Sequence, residues 1–374
     1  MPVLDKKYPR LILLLLVLLL LVIGYRYWHG HNQANNENVP GPKQSITVID
    51  NLGRKVQVPA HVERVASLYA FSGHVTAMLG EGDKIVAIPD GLKKDVLLNV
   101  MYPKIGDALI PVAAGSINIE ELLKTNPDVA FIKNSTALNP AEVEKLDTFN
   151  IPYLAVDYNS IEGQQHAIMA IAQALGVPEK GQAYIDYYQA SIKRVQKVTA
   201  TIPEKERVRV YHAVNEATRT DTPDSLSGEW TKIAGAINVS VYHPLRQLEG
   251  KNYASLEQIL LWDADVILVN EPGVVDYIMT NSQWSSLKAV KNNRVYQMPI
   301  GISRWGHPGG LETPLVIMWT AKQLYPEHFE DLDIREEARC FYQTFFNYQV
   351  SDEMLTNILN GEGMRGHSRA FLTI

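Results

Sequence analysis

The chain has 374 residues, of which 46% are hydrophobic, and a formal net charge of -6 at pH 7. This length predicts two or three compact units, and the hydrophobic content suffices for a buried core. The negative charge argues against a nucleic-acid partner, because phosphate recognition needs a basic face. The single cysteine, Cys340, excludes an intrachain disulfide and a multi-thiolate metal site.

The first 28 residues predict a membrane anchor. Three basic residues precede an unbroken run of Leu, Ile and Val over residues 11–23, and aromatic residues follow. A spanning helix needs about 20 apolar residues, so the run is a marginal span whose length also fits a cleaved secretion signal. No small-residue cleavage site and no lipid-accepting cysteine follow it, which favours an uncleaved anchor at residues 1–28 with the main body outside the cytoplasm. Residues 29–44 have almost no apolar side chains and predict a flexible linker.

The folded part begins at Ser45 and alternates between short strands and helices. A hairpin is predicted over residues 46–58, a strand at residues 64–68 and a helix at residues 75–79. Further short apolar strands are predicted at residues 85–88, 129–132, 153–156, 208–212, 266–269 and 295–298. Because helical patterns lie between these strands, they predict parallel sheets covered by helices on both faces.

The longest helical pattern covers about residues 180–200, where four large side chains recur at helical spacing. It has no strand partner and stops before Pro203. It therefore predicts one long connecting helix (residues 179–203) between an N-terminal lobe (residues 45–178) and a C-terminal lobe (residues 204–374). The predicted fold class is α/β, with a mainly parallel sheet flanked by helices in each lobe. The anchor helix precedes the two lobes in the chain.

A helix–strand unit occurs twice, once in each predicted lobe. Glu120 lies eight residues before Asp128, which opens a buried strand, and Glu257 lies eight residues before Asp265, which opens another. The repetition indicates two related lobes with a cleft between them. In open parallel sheets, ligands bind outside the carboxyl ends of the strands.

Each of these two helices also begins with a capping signal. Asn118 and Ser255 are good N-cap residues, and Glu121 and Gln258 follow three positions later. This spacing predicts a capping box at the start of both helices.

Several stretches, in their order and spacing, resemble the iron-complex and vitamin B12 class of ABC importer binding proteins. These stretches are residues 46–59, 63–68, 79–88, 118–132, 255–269 and 284–298. The resemblance spans roughly residues 45–329 and implies two α/β lobes joined by one rigid helix, with a ligand cleft between them. It also implies two partners, an ABC permease dimer and, through the permease, its ATPase.

The resemblance implies a role for Glu120 and Glu257, because an acidic residue at this position of each lobe docks onto arginines of the permease. The alternative is that both are first-turn acids, which the helix dipole favours by about 0.3–1 kcal/mol each. Many members carry Glu in the first helix, where this chain has His74. His74 is either a satisfied structural residue or a residue that faces the cleft.

The ligand site is predicted from the loops at the carboxyl ends of the strands. The richest loop, residues 302–310, combines a cation, an indole and an imidazole just before a helix that starts at Thr313 and Pro314. This composition suits an anionic or metal-chelate ligand. The predicted ligand-binding side chains are Tyr69, Asn134, Tyr158, Glu216, Arg219, Arg304, Trp305 and His307.

Purely structural roles for the same residues are the alternative interpretation. Trp305 can pack in the core with Arg304 in solvent, and Glu216 can simply pair with Arg219 at helical spacing. No direct metal ligand is predicted, and His307 is the one candidate for that role. Residues 361–367 are interpreted as a frayed terminus.

No nucleotide loop, nucleophile elbow or zinc-protease motif occurs in the sequence. The chain is therefore interpreted as a binding protein without a cofactor of its own and not as an enzyme. The resemblance puts a ferric siderophore-type chelate first as ligand, with a corrinoid, haem, a small metal complex or an oxyanion as alternatives. A membrane-anchored sensory domain or a metal-dependent enzyme is the alternative of a different class.

Overall fold

Two separate β-sheets, each covered by helices, organise the chain. The computed structural model describes residues 19–26, 44–113 and 115–366. Residues 19–26 are helical, and in the described part of the chain no helix is both long and apolar enough to cross a membrane. The remaining residues of the predicted anchor and almost all of the predicted linker lie outside the described residues.

The first sheet has six strands in the order β6-β5-β4-β3-β7-β8, and we call the part built on it the N-terminal lobe. Its strands are parallel except for the antiparallel pair β5 and β6. An antiparallel hairpin, β1 (Ser45–Ile49) with β2 (Lys55–Pro59), precedes the sheet. The six strands are β3 (Val65–Ser67), β4 (Ile85–Pro89), β5 (Leu109–Ala113), β6 (Ser116–Ile117), β7 (Val129–Ile132) and β8 (Tyr153–Ala155).

Helices follow the strands of the N-terminal lobe. Short 3-10 turns occur at Gly82–Lys84, Asp90–Lys94 and Pro103–Asp107. The α-helices are α1 (Ala70–Met78), α2 (Val96–Met101), α3 (Ile119–Lys124), α4 (Asn134–Ala137), α5 (Pro140–Thr148) and α6 (Ile161–Ala174).

The second sheet has four strands, all parallel, in the order β10-β9-β13-β14, and carries the C-terminal lobe. A second hairpin pairs β11 with β12. The strands are β9 (Arg209–Ala213), β10 (Ile237–Asn238), β11 (Arg246–Leu248), β12 (Lys251–Tyr253), β13 (Val266–Val269) and β14 (Val295–Gln297). The helices of this lobe are α8 (Leu226–Ile233), α9 (Leu256–Trp262), α10 (Val274–Thr280), α11 (Lys288–Lys291), α12 (Thr313–Leu324), α13 (Ile334–Phe346) and α14 (Asp352–Asn360).

One long helix, α7 (Pro178–Thr199), runs between the two lobes. Proline in its first turn suits a helix start, and the helix buries Tyr184 and Tyr188 completely. Each of these rings removes ~150–250 Å² from water, and each hydroxyl finds an acceptor, the Leu311 carbonyl for Tyr184 and the Gln164 side chain for Tyr188. The helix is thereby fixed against both lobes.

The paired helix–strand units form as predicted, with one difference in their caps. The Ser255 hydroxyl and the Gln258 side chain form the full capping box at α9. At α3 the Asn118 side chain accepts from the Glu121 backbone N–H at 3.2 Å. The backbone N–H of Asn118 donates to the carbonyl of Pro111 at 2.7 Å, and the Glu121 carboxylate pairs with Lys124. The predicted second box is therefore wrong, because both of its partners are engaged elsewhere.

Candidate functional site

The predicted ligand-binding side chains follow the carboxyl ends of five strands, three in the N-terminal lobe and two in the C-terminal lobe. Tyr69, Asn134 and Tyr158 come after β3, β7 and β8. The residues of the other lobe are Glu216 and Arg219 after β9, and Arg304, Trp305 and His307 after β14. All except Trp305 are half-buried, which is the exposure expected of the walls of a cleft.

Side chains from both lobes meet at Gly309, in the loop after β14. A Cβ atom at this glycine would lie 3.3 Å from the Tyr69 hydroxyl and 3.5 Å from His307 Nδ1. Tyr69 belongs to the N-terminal lobe and His307 to the C-terminal lobe. Gly309 therefore lies beside one polar group from each lobe.

His307 is neutral and donates from one ring nitrogen. Its Nδ1 accepts a hydrogen bond from the Gly309 N–H at 3.0 Å, so in the neutral ring the proton lies on Nε2. Burial lowers the pKa of His307 well below 6.5, and the positive charges of Arg304, Arg219, Arg365 and Lys133 lower it further. The charges of four cations, from both lobes, thus act on one uncharged imidazole.

Arg304 is held by two side chains of its own lobe. Its guanidinium pairs with the Glu271 carboxylate, and its Nη1 also donates to Asn215 Oδ1 at 2.7 Å. Burial, and secondarily the neighbouring charge of Arg365, lower its pKa to about 10, against the opposing effect of Glu271. Arg304 is still a cation at neutral pH, and its planar fork keeps further donors free for a ligand.

The tyrosines of the N-terminal lobe are neutral donors. Burial first, and then the Asp157 carboxylate, raise the pKa of Tyr69 well above 10. Burial also raises the pKa of Tyr158, whose hydroxyl accepts from Gln164 Nε2 at 3.0 Å. The Lys133 ammonium lies 5.1 Å from the centre of the Tyr69 ring. This wall therefore presents hydroxyls and a cation instead of phenolates.

Glu216 and Arg219 lie in the loop between β9 and α8. The Glu216 carboxylate accepts a hydrogen bond of 3.1 Å from the Tyr253 hydroxyl, at the end of the second hairpin. Burial lowers the pKa of Arg219, and the charges of Tyr253, Glu216 and Asp221 oppose that shift. The hairpin thus supports the loop that holds this cation.

Trp305 differs from the prediction. It is fully buried in the main hydrophobic core together with Trp230 and Met298, so it offers no stacking face to a ligand. The prediction that Trp305 stacks against a ligand is therefore wrong. The alternative, that Trp305 packs in the core, is correct. Arg304, its neighbour in sequence, is not in solvent but largely buried and paired with Glu271.

His74 is a buried structural residue, but only one of its two ring nitrogens has a hydrogen-bond partner. It is 3% exposed, and its Nε2 lies 2.8 Å from the Asp95 carboxylate. Asp95 in turn pairs with Arg365, and the two residues form an antiparallel bridge. Residue 365 is thus paired with the N-terminal lobe, so the interpretation of residues 361–366 as a frayed terminus is wrong; His367 lies outside the described residues.

Sequence reasoning missed several residues of this site. Lys133 directly precedes the predicted Asn134 and could have been found from its place at the end of β7. Asn270 follows β13, is fully buried and has an unpaired side-chain nitrogen, while the Oδ1 of Asn134 is an unpaired buried acceptor. Arg365 gave no signal, since it lies in a coil more than 60 residues from Arg304. Among the described residues, no three His, Cys, Asp or Glu side chains are grouped to hold a metal ion.

The chain is similar to known binding proteins in sequence and in structure. It is 28% identical over 324 residues to the molybdate-binding protein MolA of Haemophilus influenzae, covering 80% of this chain and 90% of that one. A vitamin B12-binding protein of Vibrio parahaemolyticus is 27% identical over 244 residues, covering 63% of this chain and 81% of its own length.

Two solved structures support the likeness of the fold. A periplasmic solute binding protein of Veillonella parvula superposes with a TM-score of 0.74 at 26% identity, covering 86% of this chain and 98% of the other. MolA bound to molybdate gives the same TM-score and identity, covering 82% and 99%. The sequence profile of the periplasmic binding protein family matches residues 65–300, well over half of the chain. The chain therefore belongs to the periplasmic binding protein family, with the two-lobed fold of the substrate-binding proteins of ABC importers.

Proposed function

We propose that this substrate-binding protein captures a small oxyanion in the cleft between its lobes and delivers it to the permease of an ABC importer. One arrangement carries the proposal: His307 and Tyr69, from the two lobes, both lie beside Gly309, with Lys133 5.1 Å from the centre of the Tyr69 ring. Arg304, three residues before His307, is held in place by Glu271 and Asn215. The positive charges of Lys133, Arg219, Arg304 and Arg365 all lower the pKa of His307. The three arginines are half-buried, whereas Lys133 is exposed. Half-buried cations favour an anion more strongly than exposed ones, because the effective dielectric is lower there. As a periplasmic binding protein, the chain acts outside the cytoplasm.

The hydrogen-bond donors of these cations and of their neighbours suit an oxyanion in particular. The arginines have N–H forks and His307 offers its Nε2 proton. The Tyr69 hydroxyl lies nearby and interacts with the Asp157 carboxylate. The carboxylates of Glu271 and Asp95 orient Arg304 and Arg365 and leave other donors of each guanidinium free. A tetrahedral anion with several acceptor oxygens can use many of these donors at once.

The chemistry of the lining residues puts the oxyanion ahead of the ferric siderophore that the sequence resemblance favours. The one indole predicted as a platform, Trp305, is buried, which removes a stacking surface for a corrinoid or haem. The neutral state of Tyr69 and Tyr158 gives no ready phenolate for iron. An anionic ferric chelate remains the second candidate, since the same cations attract catecholates and carboxylates.

A titration panel tests the ligand class. The purified full-length chain is titrated by calorimetry with sodium molybdate, tungstate, sulfate and phosphate, and with a ferric tris-catecholate and cyanocobalamin. We expect a 1:1 complex with an oxyanion, molybdate or tungstate above all, with an affinity that falls as salt is raised. Binding of cyanocobalamin or of the ferric tris-catecholate, with no response to any oxyanion, would overturn the proposal.

We also propose that Glu120 and Glu257 dock the loaded protein onto the permease. Both side chains are exposed in the first turn of equivalent helices, α3 and α9, one in each lobe. The pKa of Glu257 is lowered by hydrogen bonds from its own backbone and from Ser255, so it is a carboxylate at neutral pH. Two exposed carboxylates in matching places suit two basic sites on a permease dimer.

The predicted tether is a separate proposal. Residues 1–28 combine basic residues with the apolar run 11–23, which supports an uncleaved anchor at the outer face of the membrane, with a cleaved secretion signal as the alternative. N-terminal sequencing of the protein from the membrane and soluble fractions of cells decides between the two. Recovery of only a shortened, soluble chain would refute the anchor.

A further inference from the structure

The segment after the last helix, residues 361–366, connects the two lobes a second time. Its first residue, Gly361, lies against β14 of the C-terminal lobe, where a Cβ atom would stand 2.7 Å from Gln297 Cγ and 2.9 Å from the carbonyl of Met298. Just before it, the Ile358 carbonyl accepts from the Ile300 N–H at 2.9 Å. The beginning of the segment is therefore attached to the C-terminal lobe.

The end of the segment is attached to the N-terminal lobe. The Val96 N–H donates to the Met364 carbonyl at 3.2 Å, and the Gly366 N–H donates to the Lys94 carbonyl at 3.0 Å. These two bonds flank the antiparallel bridge between Asp95 and Arg365. Residues 361–366, which we call the strap, thus run from one lobe to the other.

The side chain of Arg365 is fixed within the strap by a buried carboxylate. Its guanidinium pairs with Asp95, which is 3% exposed and also contacts His74 Nε2 at 2.8 Å. The Arg365 side chain retains 15% exposure. It is therefore oriented by Asp95 without being sealed from solvent.

The charge of Arg365 acts on two residues of the ligand site, His307 and Arg304. It lowers the pKa of His307 and that of Arg304, while the charge of Asp95 acts on Arg304 in the opposite direction. The topology places Arg365 at the same edge of the sheet as Tyr69, because its partner Asp95 directly follows the Asp90–Lys94 turn at the carboxyl end of β4, the neighbour of β3. A guanidinium has five N–H donors, so it can hold a carboxylate on one edge and an oxyanion on another.

We propose that Arg365 is an anion-binding residue of the cleft and that a bound oxyanion competes with Asp95 for its guanidinium, so that ligand occupancy acts on the strap. This inference rests on the proposed function. It assigns the C-terminal strap to ligand recognition, in addition to its attachment of one lobe to the other. It also makes Asp95 an internal competitor of the ligand.

Opposite effects of two substitutions test the inference. Sodium molybdate is titrated calorimetrically into the full-length wild type, Arg365→Gln, Arg365→Lys and Asp95→Asn. We expect Arg365→Gln to weaken binding about 10-fold or more, because one charge-assisted hydrogen bond is lost. Arg365→Lys should recover part of the affinity, and Asp95→Asn should tighten binding about 3-fold, since it removes the competing charge but retains a polar partner for His74.

A matched control is Arg335→Gln. Arg335 also pairs with an aspartate, Asp352, but on the exposed side of α13, so this variant should bind molybdate as the wild type does. A purely structural strap predicts that Arg365→Gln and Asp95→Asn weaken binding to the same degree, and this result would overturn the inference. If the wild type itself binds no oxyanion, the proposed function fails first.

Hydrogen exchange gives an independent readout of the strap. The amides of Val96 and Gly366 report on the two bonds that attach it. Saturation with molybdate should change their exchange rates by about 3-fold or more in the wild type and leave them unchanged in Arg365→Gln. Equal changes in both proteins would show that the strap responds to closure of the lobes and not to Arg365.

Discussion

The side-chain amide of Gln164, in α6 of the N-terminal lobe, donates a 2.8 Å hydrogen bond to the backbone carbonyl of Gly310, in the ligand-site loop of the C-terminal lobe. The same amide group donates to the Tyr158 hydroxyl at 3.0 Å, and Gln164 Oε1 accepts from Tyr188 of the connecting helix at 2.8 Å. Gln164 is fully buried. One residue therefore ties both lobes and the helix between them at the base of the cleft.

Replacement of Gln164 by leucine should destabilise the protein by about 2–4 kcal/mol. The Gly310 carbonyl would lose its side-chain donor and the Tyr188 hydroxyl would lose its acceptor, and each buried unpaired group costs about 1–3 kcal/mol. Equilibrium unfolding in urea measures the loss. Gln173→Leu, at an exposed position of the same helix, should change the free energy of unfolding by less than about 0.5 kcal/mol. Equal effects of the two variants would contradict the role of Gln164.

Most of the fold could be predicted from the sequence because buried parallel strands are apolar runs. Strands β7 and β13 begin and end where the pattern predicts. The strands that were missed carry little such signal. For example, β5 exposes Leu109 and Ile110, β10 has two residues, and β11 is exposed throughout. Their pairing depends on tertiary neighbours, which a local pattern does not contain.

Residues of the candidate site could be predicted from the sequence only where they follow the carboxyl end of a strand. Tyr69, Asn134 and Arg304 follow buried strands, so the topology alone puts them at one edge of their sheets. Trp305 was misassigned because the sequence does not tell which of two adjacent loop residues points inward. Arg365 was missed because its place depends on the path of a coil segment across the lobes.

Arg304→Gln should weaken molybdate binding by about 10- to 100-fold, since it removes a largely buried cation with a bidentate donor set. Calorimetry measures the change. Loss of Arg304 also leaves the Glu271 carboxylate without its partner, which lowers stability. The double variant Arg304→Gln with Glu271→Gln should regain stability without regaining affinity. Arg246→Gln, at an exposed position of β11, is the control, and recovery of affinity in the double variant would show that Arg304 acts only through folding.

The stability of the ligand-free protein should fall in mild acid because of His307. Its pKa in the folded protein is lowered well below 6.5, so the folded state resists a proton that the unfolded state takes up. The stabilisation that this difference provides is complete above pH 6.5 and is lost as the pH falls below that value. The slope is at most about 1.4 kcal/mol per pH unit for one proton. Between pH 7.5 and 5, the free energy of unfolding measured in urea should depend less on pH for His307→Gln than for the wild type. His61→Gln, at an exposed position, should show the same pH dependence as the wild type.

The docking proposal predicts a transport defect without a binding defect. Glu120→Ala with Glu257→Ala should abolish uptake in cells that express the permease and ATPase, while the calorimetric affinity for molybdate stays unchanged. The matched control replaces Glu162 and Glu353, which are exposed first-turn glutamates of α6 and α14. Both pairs lose the same helix-dipole contribution of about 0.3–1 kcal/mol per residue. Normal uptake by the Glu120 and Glu257 variant would therefore leave these two residues as ordinary helix-start acids.

Gly306→Ala should damage both folding and ligand binding, because this glycine allows Arg304 and His307 to face the cleft while Trp305 turns into the core. Its φ is +76°, and a Cβ atom would lie 2.9 Å from the Trp230 ring. The left-handed backbone alone costs an alanine about 1 kcal/mol or more, and the contact with Trp230 adds to that cost.

Gly53→Ala isolates the first effect, since Gly53 has a φ of +75° with nothing within 4 Å of the added atom. We expect Gly53→Ala to lower the free energy of unfolding by about 1 kcal/mol and to bind molybdate normally. Gly306→Ala should lose more stability than that and should bind molybdate about 10-fold more weakly, because a shift of the loop away from Trp230 would also move Arg304 and His307. Unchanged affinity in Gly306→Ala, measured by calorimetry below its unfolding temperature, would mean that the two side chains reach the cleft without the turn at Gly306.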